Sequence, residues 1–187
     1  MNIPTLATER LHLRGLTEPD IPALFAIFSD PAVMRYWSFA PLTDLAAVTR
    51  LLDGMTANAA RGDMLPWGVE RLDQPGIIGT VTLRDISLSN ERAEVGFSLA
   101  SACHGRGLAA EAVAAVLRYA FGPLALYRIE ADVDPRNAAS LRLLERLGFQ
   151  REGLLRSRWF VGGERCDSVM LGLHRDEWSG GARQRPA

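Results

Sequence analysis

The chain has 187 residues, enough for one domain with a substantial core. Its 21 basic and 22 acidic side chains leave a formal net charge of −1, which excludes the overall basic footprint that holds a protein to nucleic acid. Cys103 and Cys166 match neither a zinc spacing nor a CxxC pair, and no run of about twenty apolar residues is present to span a membrane.

Residues 1–14 alternate and carry charge at Glu9, Arg10 and Arg14, without the apolar core of a signal peptide, so a cytoplasmic location is expected. Arg10 to Leu16 alternates as a strand. Thr17 can cap the helix that follows, with Pro19 and Asp20 in its first turn and Asp30-Pro31 as its stop. A second helix is expected from Thr43 to Ala60, closed by Arg61-Gly62. The period then falls to two. Trp67 to Arg71, Gly79 to Arg84 and Ala93 to Leu99 read as an antiparallel meander, with turns at Asp73–Gly76 and Asn90-Glu91. Helical spacing returns in Ala109, Val113, Val116, Leu117 and Ala120. A strand from Arg128 to Asp134 and a helix from Asn137 to Leu147, stopped by Gly148, come next. Phe149 to Leu173 reads as two strands turned at Gly162-Gly163. The order β-α-α-β-β-β-α-β-α-β-β is α+β, with one parallel βαβ crossover in its middle. Residues 1–178 are expected to form a single domain. Residues 179–187, with their Gly-Gly, Arg and Pro, are expected to form a disordered tail.

The chemistry concentrates where a strand runs into a glycine loop that opens an amphipathic helix: Glu94 to Leu99, then His104-Gly105-Arg106-Gly107-Leu108-Ala109. Glycines at 105 and 107 let successive N–H groups converge, the helix start adds free donors and partial positive charge, and Arg106 adds a cation. Such an end suits a phosphate or pyrophosphate; the alternative is an ordinary strand-to-helix turn. Neither GxxxxGK[ST] nor GxGxxG with its later acidic residue is present, so the loop belongs to neither a P-loop nor a dinucleotide fold.

The segment H-G-R-G-L-A-A-E-A resembles the pyrophosphate loop of the GNAT superfamily of N-acetyltransferases, usually Gln/Arg-x-x-Gly-x-Gly/Ala, with Gly107 and Ala109 in its fourth and sixth positions and His104 departing from the first. V-D-P-R-N-A-A-S-L-R-L-L-E-R-L-G-F, from Val133 to Phe149, resembles that family's other cofactor segment. With T-E-R-L-H-L-R near the start and D-E-W at Asp176 to Trp178, the likeness covers nearly the whole chain. It is greatest to the branch that acetylates the N-terminal alanine of ribosomal proteins. The resemblance implies a three-layer GNAT fold whose mixed, mostly antiparallel sheet splays two strands around acetyl-CoA. It implies cofactor contacts at Phe97, Leu99, His104, Gly105, Arg106, Gly107, Leu108 and Ala109, with Asn137 on the pantetheine arm. A backbone N–H near Phe97 would hold the thioester oxygen.

Direct transfer needs a deprotonated amine and a proton for the departing thiolate. Glu94 shares a strand face with Gly96 and Ser98, which leave room for substrate, while Val95 and Phe97 turn toward the core. It is a candidate base; an ammonium anchor or a solvated carboxylate are the alternatives. Many GNAT enzymes carry an acidic Tyr ahead of the Leu-Gly-Phe segment, where this chain has Leu143-Leu144. Ser140, one turn after Asn137, is the candidate replacement, against a plain helix-surface serine; Tyr127 is a weaker candidate, with packing as its alternative. Asp167 would approach the acceptor or cap a turn. Trp37, Phe39 and Trp159 are candidate acceptor walls or core. Cys103 is a small buried side chain or, one residue before the loop, a nucleophile. His12, His104 and His174 are scattered, so no metal is expected.

The expected activity is transfer of acetyl from acetyl-CoA to a primary amine, foremost a protein N-terminal α-amine. Alternatives are a polyamine, an aminoglycoside or another small amine, or acyl-CoA binding without turnover. Asp44, Asp63, Asp85 and Asp167 are the candidate acids of a cleft suited to polyamines. No nucleic acid or membrane partner is expected, and monomer and homodimer stay open. All 21 basic residues are Arg. Codon bias accounts for this, and sparing an acetylating enzyme its own lysines is the alternative.

Overall fold

A computed structural model describes residues 3–180, so positions 181–187 of the expected tail lie outside the described residues. The chain opens with β1 (Leu6–Ala7) and β2 (Leu11–Gly15). A 3₁₀ turn at Glu18–Asp20 leads into α1 (Ile21–Phe28). The helix therefore starts a turn later than Thr17 suggested. Asp20 turns back instead, accepting from the Thr17 N–H at 2.8 Å. Asp30-Pro31 ends α1 but also begins a short helix, α2 (Pro31–Met34), because Asp30 accepts from the Ala32 N–H at 2.8 Å and proline suits a first helical position.

α3 (Leu45–Arg61) is capped by Asp44, which accepts from the Ala47 N–H at 2.7 Å, and closed by left-handed Gly62. β3 (Met64–Arg71), β4 (Gln74–Ser87) and β5 (Arg92–Leu99) form the meander. Pairing runs to Arg71 opposite Gln74, so the connection is Leu72-Asp73 alone; Pro75-Gly76 lies inside a bulged strand start, with Gly76 at φ 103°. α4 (Leu108–Phe121), β6 (Arg128–Val133), α5 (Ala138–Arg146), β7 (Gln150–Val161) and β8 (Glu164–His174) complete the chain. Gly162 and Gly163, both at positive φ, make the last hairpin turn.

One eight-stranded sheet has the order β1-β2-β3-β4-β5-β6-β8-β7, parallel only between β5 and β6. This is the mixed α+β GNAT sheet the resemblance implied. Leu11, Leu13, Trp67, Val69, Leu83, Val95 and Ile129 bury one face against Val113, Val116 and Leu117 of α4. Trp67 is fully buried and donates its indole N–H to the Pro4 carbonyl at 2.7 Å. The other face carries a second cluster, Leu24, Ile27, Phe28, Met34 and Val48 of α1–α3 with Ile77 of β4. Gly68 marks the change of side: a Cβ there would stand 2.5 Å from Ile77 Cδ1, so bringing Ile77 and α1–α3 onto this face requires glycine.

A cleft where two parallel strands part

β5 and β6 pair only at Arg92–Glu94 with Arg128–Glu130. Beyond that point they diverge and no longer pair. Strand alternation fixes what the divergence exposes. The Ala100 N–H bonds to the Ile78 carbonyl at 2.8 Å, so the even residues of β5 direct their backbone groups to β4. The backbone groups of Val95, Phe97 and Leu99 therefore turn toward the gap. The Arg175 N–H reaches the Tyr127 carbonyl at 2.8 Å, so odd residues of β6 serve β8 and Asp132 turns its backbone toward the same gap. A free edge of this kind accepts an extended amide chain. The Leu99 carbonyl is already occupied, since the His104 ring donates to it from Nε2 at 2.9 Å. His104 thus closes the loop onto its own strand.

The glycine loop has the expected form. Gly105 lies at φ 73° and Gly107 at φ 75°, conformations that glycine adopts without strain. The N–H groups of Gly105, Arg106 and Gly107 have no partner among the described residues. Those of Leu108 to Ala110 precede the first i→i−4 bond, from Glu111 to Gly107 at 3.1 Å. The converging donors suit a pyrophosphate, and the unpaired Phe97 edge suits the amides of a pantetheine arm.

A cleft of about 520 Å³ fills the gap. Glu94, Gly96, Phe97, Asp132, Asn137, Ser140, Trp37, Phe39, Trp159, Asp167 and Ser168 all border it. Glu94, Gly96 and Ser98 share a face as expected, and a Cβ at Gly96 would meet nothing within 4 Å, so the space beside Glu94 is open. Ser98 is buried and hydrogen-bonded to Thr80 at 3.0 Å. Phe97 is only half-buried: it packs on the core and also reaches the cleft, because no partner strand covers it here. Glu94 is 12% exposed and receives both the Nε and the Nη2 of Arg84, its cross-strand neighbour. Burial pushes its pKa up; Arg84 opposes this, and Asp132 and Asp85 add to it, leaving the carboxyl above the usual glutamate range.

Asn137 caps α5, accepting from the Ser140 N–H at 3.1 Å, so its amide donors stay free toward the cleft. The Ser140 hydroxyl has no partner among the described residues and borders the cleft. Trp37 stacks edge-on against Phe28 (5.6 Å) and Phe39 (5.4 Å) as one aromatic wall. The opposite wall is Trp159, which donates to Asp132 at 3.1 Å.

Other candidates go elsewhere. Asp167 accepts from the Ser157 N–H at 2.7 Å, capping the β7 bulge where Ser157 stands at φ 53°; one of its oxygens stays free. Asp44 and Asp63 cap or pair on α3, and neither they nor Asp85 borders the cleft, so of the four candidate cleft acids only Asp167 is at the cleft. Tyr127 stacks on His174 and faces Asp176, outside the cleft. Cys103 is buried in the main core. The other histidines serve Glu70 (His12) and Glu177 (His174). The sequence reading missed Arg84 and Asp132. Both carried a signal, alternation onto the face of Glu94, but their proximity to it depends on cross-strand register.

The chain matches the model of the acetyltransferase (GNAT) domain over residues 10–150. It is 36% identical to the uncharacterized N-acetyltransferase p20 of Bacillus licheniformis, covering 94% of this chain and 99% of that one. It is also similar to two Escherichia coli enzymes. One is the [ribosomal protein uS5]-alanine N-acetyltransferase, 30% identical over 65% of this chain and 63% of that one. The other is spermidine N(1)-acetyltransferase, 25% identical over 89% of this chain and 87% of that one. Among solved structures, Mycobacterium smegmatis RimJ in complex with CoA-disulfide superimposes with a TM-score of 0.86 at 25% identity, covering 97% of this chain and 94% of that one.

Proposed function

The chain belongs to the GNAT acetyltransferase family and is an acetyl-CoA-dependent N-acetyltransferase; from that premise we propose that its acceptor is the α-amine of a protein N-terminus. The observation that carries this is the state of the cleft's charges. Glu94 is held by Arg84, Asp134 and Glu164 by Arg136, Asp132 by Trp159, and Asp167 by a backbone N–H. Arg35 and Arg50 also border the cleft. A polycation would meet Glu94, Asp134 and Glu164 already paired with Arg84 and Arg136, Asp132 with Arg158 at 3.6 Å, and two further guanidinia, leaving Asp167 as the cleft acid without a cation among the described residues. A single amine followed by an apolar side chain would meet Glu94, then the Trp37–Phe39 wall. The likeness to the uS5-alanine enzyme supports the same reading.

In this reading the pyrophosphate rests on the N–H groups of the 104–109 loop, and pantetheine lies along Phe97 and Leu99 with Asn137 donating to it. His104 contributes by closing the loop rather than by touching phosphate. A backbone N–H at Phe97 receives the thioester oxygen as charge develops there. Glu94 removes a proton from the bound ammonium, directly or through water. The amine attacks the thioester carbon, the C–S bond breaks, Ser140 gives its proton to the departing thiolate, and the serine oxygen regains one as the newly acylated nitrogen sheds its remaining extra proton, directly or through water. Trp37 and Asp167 border the acceptor. The likeness to the spermidine enzyme supports a polyamine as the second reading.

The test is kcat/KM by mass spectrometry for peptides with N-terminal alanine or serine against spermidine and an aminoglycoside. Peptides should be preferred at least about tenfold, a difference of about 1.4 kcal/mol in transition-state binding. A preference for spermidine would replace the peptide reading with the polyamine one.

A further inference from the structure

The residue that holds the glycine loop in shape comes from the other end of the chain. Arg10 stands just before β2. Its Nε donates to Glu111 Oε2 at 2.6 Å, its Nη2 lies 2.5 Å from the same oxygen, and its Nη1 donates to the Arg106 carbonyl at 3.0 Å. Its backbone N–H and the Thr8 hydroxyl both donate to Glu111 Oε1, at 2.9 and 2.6 Å. Glu111 sits in the first turn of α4, where a negative charge is favoured. Burial works against its ionisation, but the bonds from Thr8 and Arg10 outweigh this and hold it below the usual carboxylate range.

We infer that Arg10 is a positioning residue for acetyl-CoA, aiming the donors of the loop from outside it. A trans peptide unit carries its C=O and the following N–H in opposite directions, and no peptide bond among the described residues is cis. Drawing the Arg106 carbonyl toward Arg10 therefore turns the Gly107 N–H away from it, toward the concave side of the loop. The guanidinium approaches within 3.6 Å of where a Gly107 Cβ would be, so it backs the loop at its tightest point. All three of its nitrogens face protein partners. Its contribution is thus geometry, not a further charge on the ligand. Two partners at fixed angles suit a planar fork and not a single ammonium, so Lys cannot replace it fully.

This inference rests on the loop being the pyrophosphate site, and the experiment separates the two. Calorimetry gives Kd for CoA; kinetics compares acetyl-CoA with acetyl-pantetheine, which ends before the pyrophosphate. Arg10→Ala should raise the CoA Kd and the acetyl-CoA KM about tenfold or more, the usual size of a lost charge-assisted pair, with Arg10→Lys in between. kcat at saturation, the acceptor KM and the acetyl-pantetheine KM should stay within about twofold. Thr8→Val removes a Glu111 bond without touching Arg106 and should leave Kd unchanged even where it lowers Tm. Equal losses with both donors, in Arg10→Ala or in the milder Arg10→Lys, would reduce Arg10 to general scaffolding. So would an unchanged CoA Kd in Arg10→Ala. A wild-type protein whose CoA affinity is indifferent to the pyrophosphate would overturn the loop assignment itself.

Discussion

At the scale of single residues, Glu94 carries two opposed effects. Burial disfavours its charge, while Arg84 supports it, and the net shift is upward. A base with a raised pKa loses its free form at a pH above the ordinary glutamate range, so kcat/KM should fall on an acidic limb. Glu94→Gln should remove that limb and lower kcat by about 10²- to 10⁴-fold. If kcat stays near wild type while the acceptor KM rises, Glu94 is an anchor and not the base. The same shift has a stability consequence. A raised folded pKa contributes stability below the unfolded value, about 4.3, and loses it as pH rises through the folded value. At pH 7 the wild type therefore bears a cost that the Gln variant escapes. Ser140→Ala should lower kcat by about 10²-fold with CoA affinity little changed, since the cap on α5 uses the Ser140 N–H and not its hydroxyl. Full activity in that variant would assign the proton to solvent. That Glu94 and Ser140 border the cleft was legible in the sequence because each sits at a fixed offset from a recognisable segment. Arg84 was not, because what brings it to Glu94 is the register of β4 on β5.

At the scale of elements, the glycine loop and the parting of β5 from β6 decide the site. Gly107 caps α4 in a left-handed conformation. Gly107→Val adds a side chain that meets only Arg10 at ordinary contact distance, so the penalty is backbone strain, about 1–3 kcal/mol. Calorimetry should show strongly weakened acetyl-CoA binding in a folded variant; unchanged affinity would remove the loop from the cofactor site. The 3₁₀ turn after β2 is fixed differently. Asp20 is 6% exposed and bonded by both terminal nitrogens of Arg14, which also reaches Glu70. Arg14 draws the pKa of Asp20 down against burial, with help from Thr17, and likewise lowers Glu70 with help from His12. Depressed folded values mean stability present above the unfolded values of about 4 and lost as pH falls through the folded ones. Urea midpoints for wild type should drop between pH 5 and pH 3, and Asp20→Asn should be less stable at pH 7 with a flatter profile. An unchanged slope would place the acid sensitivity elsewhere.

At the scale of the whole molecule, the helices and strands were legible because their periods are clean: 3.6 in α4, two in the meander. The two-residue β1 and four-residue α2 were not, being shorter than any period can mark. Asp30-Pro31 signals a stop and a start equally, and only the packing of Met34 beneath Trp37 and Phe39 selects the start. The cleft acids could not be placed from the sequence for a related reason: Asp44 and Asp63 are polar residues at helix ends, used up by local caps and pairs, whereas Asp132 sits mid-strand and reaches the cleft through the divergence of β5 and β6. That divergence is the centre of the account. It opens the Phe97 edge and exposes Glu94 to an acceptor, and the 104–109 loop follows from the end of the same strand. Amide hydrogen exchange with and without saturating acetyl-CoA tests it most directly. The account predicts slowed exchange at Phe97, Leu99 and Gly105–Ala110, with Tyr127 and Arg175 at the paired end unaffected. Bound acetyl-CoA that leaves residues 97–110 exchanging as before would contradict it.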